Sequence, residues 1–472
     1  MLESIIYLSP LMVLLSGIFI LMFSEHGEDE QYGCFKFSKI MMLMAFALTI
    51  IFYNKPLIPE VTSGSHYTAL FECMLYCGGF ALLYLSRKWF ASMNVSGYTF
   101  CGGIFVAMLF GSLLIRSQNM LLSLVCCLFL MMGNYALLRS VSPKKELSGE
   151  EAAYKYAMIF CMLLSGVALL ILHQFGNSFD YESLKLVLFA NSESPLLFVA
   201  VAAILAVMMF MLGLAPLHFC FIQTSEKSVM PVFAYFVIVP VCACWAGFIR
   251  VNTEVLTPFA DDLYLFYKVA ALISVFLGAL GACGSKNVRE ILAYGTVYHL
   301  GIILLVMQSF SLNAVNSGLI YLLVYLLAMY GICACLFGIK IKGEYLFMLK
   351  EFEGAAYKRP YISAMMTIFI FSLLGIPPFL GFFGVFSALS YLAKHDSFYQ
   401  FGYIMLMLVV LSYGYLQIIK NMYFEKSKEN FDRADSGIYA AIMLNALLMI
   451  VIMLKPQYLM QDIYLMIEGM FQ

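Results

Sequence analysis

LGIPPFLGFFGV (residues 374–385) interrupts an apolar run that extends from about Tyr361 to Leu392. That run is longer than the ~20 residues that one transmembrane helix needs. Its two adjacent prolines remove backbone hydrogen-bond donors and block the preceding helical turn, and its glycines add conformational freedom. In lipid, backbone groups freed in this way are tolerated only where protein or a water-filled cavity satisfies them. The run therefore predicts a broken transmembrane helix that faces the protein interior.

A second interrupted run lies earlier in the chain. It begins near Pro195 and contains LGLAPLH (residues 212–218). Two spans interrupted by proline and glycine at corresponding places are typical of transporters built from internal repeats. The predicted broken-helix positions are Gly213, Pro216, Gly375, Pro377, Pro378 and Gly381.

The composition is that of a membrane protein. Of 472 residues, 63% are hydrophobic and only 12% are charged, whereas soluble proteins carry about 25% charged residues. A net charge of -1 gives no basis for nucleic-acid binding. The 13 cysteines lack the spacing of a metal site, so we interpret them as buried apolar residues. The first apolar run, Ile5 to Phe23, has no cleavage site, and we expect a retained span.

The apolar runs predict an all-α polytopic membrane protein, with one membrane domain over residues 1–472 and about 14 transmembrane helices. Of the 27 Lys and Arg residues, 20 lie in or beside loops that follow odd-numbered spans. The positive-inside rule then places both termini outside. The predicted spans are about 4–23, 37–53, 67–86, 98–115, 119–138, 153–173, 194–218, 229–249, 265–283, 290–309, 314–339, 360–392, 401–422 and 437–454.

The numbering of the broken spans predicts the internal organisation. They are the seventh and the twelfth, and because five is odd, the units that contain them cross the membrane in opposite directions. This predicts two inverted five-helix repeats, formed by spans 4–8 and 9–13. The predicted segments are 1–97 for the first three helices, 98–250 and 265–423 for the repeats, and 437–472 for the last helix and tail.

Three motifs carry a family resemblance. KNVREILAYGTVYHLG (residues 286–301) resembles the N-(I/V)-(K/R)-x-(L/I)-L-(A/G)-Y-S-(S/T)-x-x-H-(L/M)-G signature of the antiporter-like membrane subunits of respiratory NADH:quinone oxidoreductase. APLH (215–218) is similar to that family's P-F-H at its broken seventh helix. GIP (375–377) and GF (381–382) are similar to the motif of its broken twelfth helix. The resemblance covers about residues 65–455 and implies the family's fold and membership of its complex.

The resemblance also implies buried ionisable groups that this chain lacks. The family places a glutamate on its fifth helix, lysines on its seventh and eighth, and a lysine or glutamate on its twelfth. The motifs align the seventh-, eighth- and twelfth-helix positions with Met211, Val241 and Val385, and a match of the fifth span aligns the glutamate with Leu128. Because none of these side chains ionises, we expect no proton transfer by the family's lysine relay.

His299 is the strongest remaining candidate for a proton relay. It lies near the middle of the tenth span, with the hydroxyls of Tyr294 and Tyr298 close by in the sequence. An intramembrane histidine is a functional candidate because it exchanges protons near neutrality. The alternative is a neutral histidine that bonds the unwound backbone of a nearby broken helix.

Two further ionisable residues belong to the candidate relay. His218 follows the break at Pro216 and either lines a half-channel or caps freed carbonyls, of which we favour the cap. Glu72 lies near one end of the third span without a visible partner in the sequence. It is either a shallow, wetted acid or a contact with a neighbouring subunit, and we favour the subunit contact.

Three functions follow from these patterns. The first is a membrane-arm subunit of a proton-translocating NADH:quinone oxidoreductase, whose NADH, flavin, iron–sulfur clusters and quinone chemistry belong to other subunits. The second is a structural spacer of the same complex that pumps no protons. The third is a subunit of a cation/proton antiporter, which the missing intramembrane carboxylates disfavour.

The resemblance implies the surroundings of the chain as well. Its partners are other membrane subunits on both sides, including another antiporter-like subunit, together with lipid. Its location is an energy-transducing membrane, and we favour the bacterial plasma (inner) membrane. No cofactor, metal ion or catalytic residue is expected in the chain itself.

Overall fold

The structure is a computed structural model that describes residues 6–23, 31–58, 61–93, 95–140, 149–395, 397–426 and 430–469. It is almost entirely helical in these ranges. The helices are α1 (Ser9–Phe23), α2 (Gln31–Ile51), α3 (His66–Met93), α4 (Tyr98–Arg116), α5 (Met120–Ser140), α6 (Gly149–Phe175), α7 (Tyr181–Ala190), α8 (Pro195–Leu212), α9 (Phe219–Lys227), α10 (Met230–Arg250), α11 (Ala260–Gly284), α12 (Val288–Met307), α13 (Leu312–Gly338), α14 (Ala355–Lys358), α15 (Pro360–Leu373), α16 (Gly381–Lys394), α17 (Phe398–Phe424), α18 (Ser436–Leu454) and α19 (Pro456–Glu468).

Short elements join some of these helices. A π-helical turn and a 3-10 turn, Val251–Val255 and Thr257–Phe259, follow α10. Strands β1 (Lys340–Ile341) and β2 (Glu344–Tyr345) form an antiparallel hairpin, and a further 3-10 turn covers Leu349–Phe352.

The fourteen-span prediction is confirmed. Within the described ranges, 12 helices are long and apolar enough to cross a membrane. The first and twelfth predicted spans add the shorter apolar helices α1 and α15, and α16 continues the twelfth span beyond its break. The chain is therefore a multi-pass membrane protein.

The chain divides into two compact units. The first contains Met1–Gly213, Val239–Leu263 and Gly469–Gln472. In it, α4 packs against α1, α3 and α5, while α6 packs against α5 and α8. The helices approach closely at small residues, since a methyl group on Gly103 would overlap the Leu137 side chain.

The second unit contains Leu214–Ile238 and Tyr264–Glu468. Its central element is α13, which packs against α12, α15, α16, α18 and α19. Glycines again allow close contact. A methyl group on Gly278 would overlap the α12 backbone at Tyr298, and one on Gly281 would overlap the ring of Tyr294 on α12. The candidate site lies where α12, α13, α16 and α17 of this unit come together.

The sequence pattern missed α7, the hairpin and α19. In α7 the buried residues Tyr181, Leu184 and Leu188 form one helical face, although the helix is too short to cross a membrane. In α19 the buried residues are Ile463 and Ile467, one turn apart, and the helix packs against α13 and α18. Both helices are amphipathic. Their polar residues made these segments resemble loops in the sequence.

Candidate functional site

The twelfth span is broken, as predicted. Helix α15 ends at Leu373, Gly375 has a positive φ of 69°, and α16 begins at Gly381. The peptide bond between Pro377 and Pro378 is cis. The Gly381 amide donates to the Ser372 hydroxyl oxygen at 2.9 Å. A methyl group on Gly381 would overlap the Ser372 carbonyl oxygen, so the two half-helices meet where only glycine fits.

The seventh span is broken as well. Helix α8 ends at Leu212, and Gly213 follows with a positive φ of 65°. The Ala215–Pro216 peptide bond is cis, and the Ala215 amide donates to the Ser274 hydroxyl oxygen at 2.9 Å. Each break thus begins with a glycine in the left-handed region and has a backbone amide bound by a serine hydroxyl. These contacts satisfy donors that the interrupted helix leaves free.

A cavity lies beside the twelfth break in the second unit. Its lining combines polar and apolar groups from the four helices α12, α13, α15 and α16: His299, Tyr321, Val324, Tyr325, Ser372, Leu373, Gly381, Gly384 and Val385. It has room for one water molecule. Val385, which the family motif aligns with the twelfth-helix lysine, therefore lines the same cavity as His299.

His299 is buried, with 1% of its surface exposed. Its Nδ1 lies 2.9 Å from the Tyr321 hydroxyl oxygen, and its Nε2 lies 3.3 Å from the Tyr415 hydroxyl oxygen. The predicted alternative, a bond to unwound backbone, is wrong, because both ring nitrogens face tyrosine hydroxyls instead. Both partners are neutral, and an unpaired buried imidazolium would be costly, so the histidine is neutral here.

The two tyrosines nearest in sequence do not bond His299. The Tyr298 hydroxyl donates to the Ile404 carbonyl oxygen at 3.2 Å, and the ring of Tyr294 packs against Gly281. Neighbouring residues on a helix point in different directions, so closeness in sequence misleads here.

Three other tyrosines surround His299. The ring of Tyr325 packs against the imidazole at a tilt of 39°, with ring centroids 5.4 Å apart, and its hydroxyl donates to the Thr296 hydroxyl at 2.8 Å. Tyr321 and Tyr325 are four residues apart on α13, which places them on one helix face. The sequence therefore contained a signal that Tyr321 and Tyr325 share a face. It contained no signal for Tyr415, which lies 116 residues from His299.

Glu72 belongs to a separate, buried ion pair in the first unit. Its carboxylate accepts from Arg116 Nε at 2.7 Å and Nη2 at 2.5 Å, and from the Ser112 hydroxyl. Arg116 Nη1 also donates to the Lys55 carbonyl oxygen at 3.0 Å. Glu72 and Arg116 are both 0% exposed. The expectation of a shallow, wetted acid or subunit contact is therefore wrong, because α4 supplies the partner.

His218 lies directly before α9 and is partly buried. Its side chain makes no capping hydrogen bond to α9, and its buried Nδ1 has no hydrogen-bond partner in the part of the chain that is described. Capping of freed carbonyls by His218 stays a prediction.

The four positions at which we expect the family's ionisable residues to be replaced all carry apolar side chains. Met211 and Val241 are buried, with 6% and 1% exposed, while Leu128 and Val385 are partly buried. No group of three His, Cys, Asp or Glu side chains is placed to hold a metal ion in the described ranges. The chemistry available near mid-membrane in the second unit is therefore hydrogen bonding between neutral imidazole and phenol groups.

Comparison with known proteins identifies the relatives. The family model described as NADH:quinone oxidoreductase/Mrp antiporter matches residues 117–413. NADH-quinone oxidoreductase subunit N of Parvibaculum lavamentivorans is 28% identical over 298 residues, which are 62% of this chain and 61% of that relative, less than two thirds of its length. The subunit N of Francisella tularensis is 25% identical over 97% of both chains.

Solved structures share the fold. A chain of respiratory complex I from Thermus thermophilus with bound Aureothin has a TM-score of 0.79 and 21% identity, covering 96% of this chain and 98% of its own. A chain of the Mrp complex from Dietzia has a TM-score of 0.79 and 15% identity, covering 100% and 98%. Because the family model matches more than half of the 472 residues, the chain belongs to the NADH:quinone oxidoreductase/Mrp antiporter family of membrane subunits.

Proposed function

We propose that this chain is the subunit N of a proton-translocating NADH:quinone oxidoreductase in the bacterial plasma membrane. The observation that carries the proposal is the full-length match to a relative named subunit N, over 97% of both chains. In this role the chain performs no redox chemistry. Flavin, iron–sulfur clusters and the quinone site belong to other subunits, and the membrane subunit couples their electron transfer to proton movement.

The proposal includes the surroundings and orientation of the chain. Its neighbours are membrane subunits on both sides, one of them antiporter-like, and both termini lie outside. The asymmetry of 20 against 7 basic residues supports this orientation. Labelling of Ser311→Cys and Glu344→Cys in intact membranes is expected from opposite sides, with the unsubstituted chain as background. Labelling of both from one side would contradict the orientation.

The proton path in this chain rests on His299 and water, together with the predicted inverted repeats that bring a broken helix into each half. A buried lysine moves protons because desolvation lets it switch between charged and neutral forms. Leu128, Met211, Val241 and Val385 have no such switch. The cavity beside the twelfth break supplies polar groups and room for water at the position of the missing lysine. Transport through this subunit is therefore proposed to use hydrogen-bonded neutral groups.

A second candidate function is that of a non-pumping spacer in the same complex. The four apolar replacements favour it, since apolar walls gate a pore by excluding water. The exchanger-type antiporter has no comparable support, because a cation site inside the membrane needs carboxylates or carbonyl cages.

The number of protons moved per electron pair separates the two functions. The complete complex is purified, its subunits are identified, and it is sealed in vesicles for simultaneous measurement of NADH oxidation and proton uptake. A ratio that falls on His299→Ala while NADH oxidation persists supports transport through this chain. An unchanged ratio supports the spacer. A purified chain without NADH:quinone oxidoreductase partners would contradict the proposal as a whole.

A further inference from the structure

Three side chains from three helices form a row in the second unit. Tyr321 of α13, His299 of α12 and Tyr415 of α17 are joined by hydrogen bonds of 2.9 and 3.3 Å through the two opposite nitrogens of one imidazole. All three side chains are buried, and Tyr321 also lines the cavity at the twelfth break. The row therefore has one end at a cavity with room for water.

The row contains one more exchangeable proton than the number of hydrogen bonds within it. Each tyrosine hydroxyl carries one proton and a neutral imidazole carries one, which makes three protons for two hydrogen bonds. A neutral imidazole donates from one nitrogen and accepts at the other. One tyrosine therefore donates to the ring, the other accepts from it, and the accepting hydroxyl points its own proton outward. Exchanging the two roles reverses the whole row.

We propose that Tyr321, His299 and Tyr415 form a proton wire in which the imidazole changes tautomer and stays neutral, an inference that rests on the proposed function. A hydronium ion in the cavity gives a proton to the Tyr321 oxygen and becomes water, as the Tyr321 O–H proton moves to His299 Nδ1. The Nε2 proton moves to the Tyr415 oxygen, and the original Tyr415 O–H proton leaves to a water molecule on the far side of Tyr415, which becomes hydronium. One proton enters and one leaves, and the hydroxyls and ring reorient before the next transfer.

Gly295 makes this arrangement possible. The family signature has serine at this position, between the tyrosine and the hydroxyl residue of Y-S-(S/T), whereas this chain has Tyr294-Gly295-Thr296. A methyl group on Gly295 would overlap the Tyr415 hydroxyl oxygen. A serine there is incompatible with the present position of Tyr415, so the third member of the row depends on a residue in which this chain departs from the signature.

The wire differs from a lysine relay in its energetics. A lysine relay places a full charge in the membrane interior, where an unpaired charge is strongly disfavoured. Concerted transfer along neutral groups avoids a resident charge, which agrees with the apolar residues at the four replaced positions. The wire also explains why Val385 beside His299 needs no ionisable side chain.

The test compares tyrosine-to-phenylalanine variants of the complete complex in sealed vesicles. Tyr321→Phe and Tyr415→Phe each remove one hydroxyl of the wire, and Tyr403→Phe on α17 is the matched control, because its hydroxyl donates to the Leu272 carbonyl oxygen and lies outside the wire and the cavity lining. We expect the first two to lower the protons moved per electron pair by one subunit's share, with NADH oxidation within about twofold of wild type, and the control to keep the wild-type ratio.

Two further variants separate a relay from a structural bond. His299→Gln keeps a donor and an acceptor but has no tautomers, so a relay predicts loss of its proton share and a structural bond predicts none. Gly295→Ser is expected to behave as Tyr415→Phe, because it displaces the Tyr415 hydroxyl. Wild-type ratios in Tyr321→Phe, Tyr415→Phe or His299→Gln would overturn the wire, as would failure of these two phenylalanine variants to assemble when Tyr403→Phe assembles.

The wire and the proposed function fail in different ways. If the wild-type assembly has no NADH:quinone oxidoreductase activity, the proposed function is wrong, and the wire is tested in the same assembly by proton flux under an imposed pH gradient. If the wild type pumps and the variants pump equally well, only the wire is wrong.

Discussion

Glu72 in the first unit and His299 in the second are both buried, ionisable and held by hydrogen bonds, yet their surroundings differ in kind. Glu72 forms an ion pair with Arg116, and Arg116 and Ser112 together bond both of its carboxylate oxygens. His299 bonds only neutral hydroxyls and has a cavity beside it. The first arrangement fixes its hydrogen-bond donors on the carboxylate, whereas in the second the hydroxyl and imidazole protons have two alternative arrangements.

This contrast separates the structural ion pair of Glu72 from the proton-relay role that we propose for His299. Arg116 also bonds the Lys55 carbonyl oxygen, and its own carbonyl oxygen accepts from the Ser63 amide at 2.8 Å. The Glu72–Arg116 pair therefore ties the loop after the second span to the end of α4. Removal of either partner would leave the other charge buried without its counter-charge, which is strongly destabilising.

Breaking the ion pair is expected to have the largest effect. Arg116→Ala leaves the Glu72 carboxylate buried without its counter-charge, which costs about 3–5 kcal/mol. The yield of assembled complex is expected to collapse, as measured by native electrophoresis of solubilised membranes. Lys268→Ala, at a partly exposed position of α11, is the control and is expected to assemble normally. The double variant Glu72→Gln/Arg116→Met is expected to assemble better than Arg116→Ala, because neither charge is left alone.

Adding a charge beside the neutral groups Tyr321, His299 and Tyr415 is expected to have the next largest effect. Val385→Lys places an ammonium at the cavity, and no carboxylate lines that cavity to pair with it. The cost is about 2.5 kcal/mol or more, and the variant is expected to lose thermal stability within the membrane. Val385→Met is the matched apolar control. Equal thermal midpoints for the two variants would show that the site accepts a charge.

A smaller effect is expected at the break in the twelfth span, beside the cavity next to His299. Gly381→Ala would bring a methyl group into the Ser372 carbonyl oxygen, and overpacking of this kind costs about 1–3 kcal/mol. The expected result is a lower thermal midpoint and a lower proton-to-electron ratio, because the displaced half-helix lines the cavity. Gly402→Ala on α17 is the control, since no atom lies within 4 Å of a methyl group there. Equal behaviour of the two alanine variants would contradict the importance of the break.

The two breaks show how far local sequence reasoning reaches. Both were predicted from proline and glycine, and both occur, with positive φ at Gly213 and Gly375. The chemistry behind this prediction is local, because a proline cannot donate a backbone hydrogen bond and a glycine alone adopts these angles easily. The relation between the halves as inverted repeats involves no local chemistry and stays a prediction.

The partners of the buried polar groups show where local reasoning stops. Glu72 finds Arg116 at a separation of 44 residues, and His299 finds Tyr415 at 116. Only the adjacency of α3 with α4 and of α12 with α17 brings these side chains within hydrogen-bond distance. A histidine in an apolar run signals importance, but its bonds depend on helix rotation and packing.

The sequence by itself determined the membrane class, the number of spans, the two breaks and the family. Each of these depends on composition, on short-range stereochemistry or on a contiguous motif. Only the tertiary structure decided that Glu72 is closed in an ion pair and that His299 lies between two tyrosines beside Val385. The reason is physical: apolar spans are nearly uniform in sequence, so their pairing and rotation are set by the packing of side chains from distant segments.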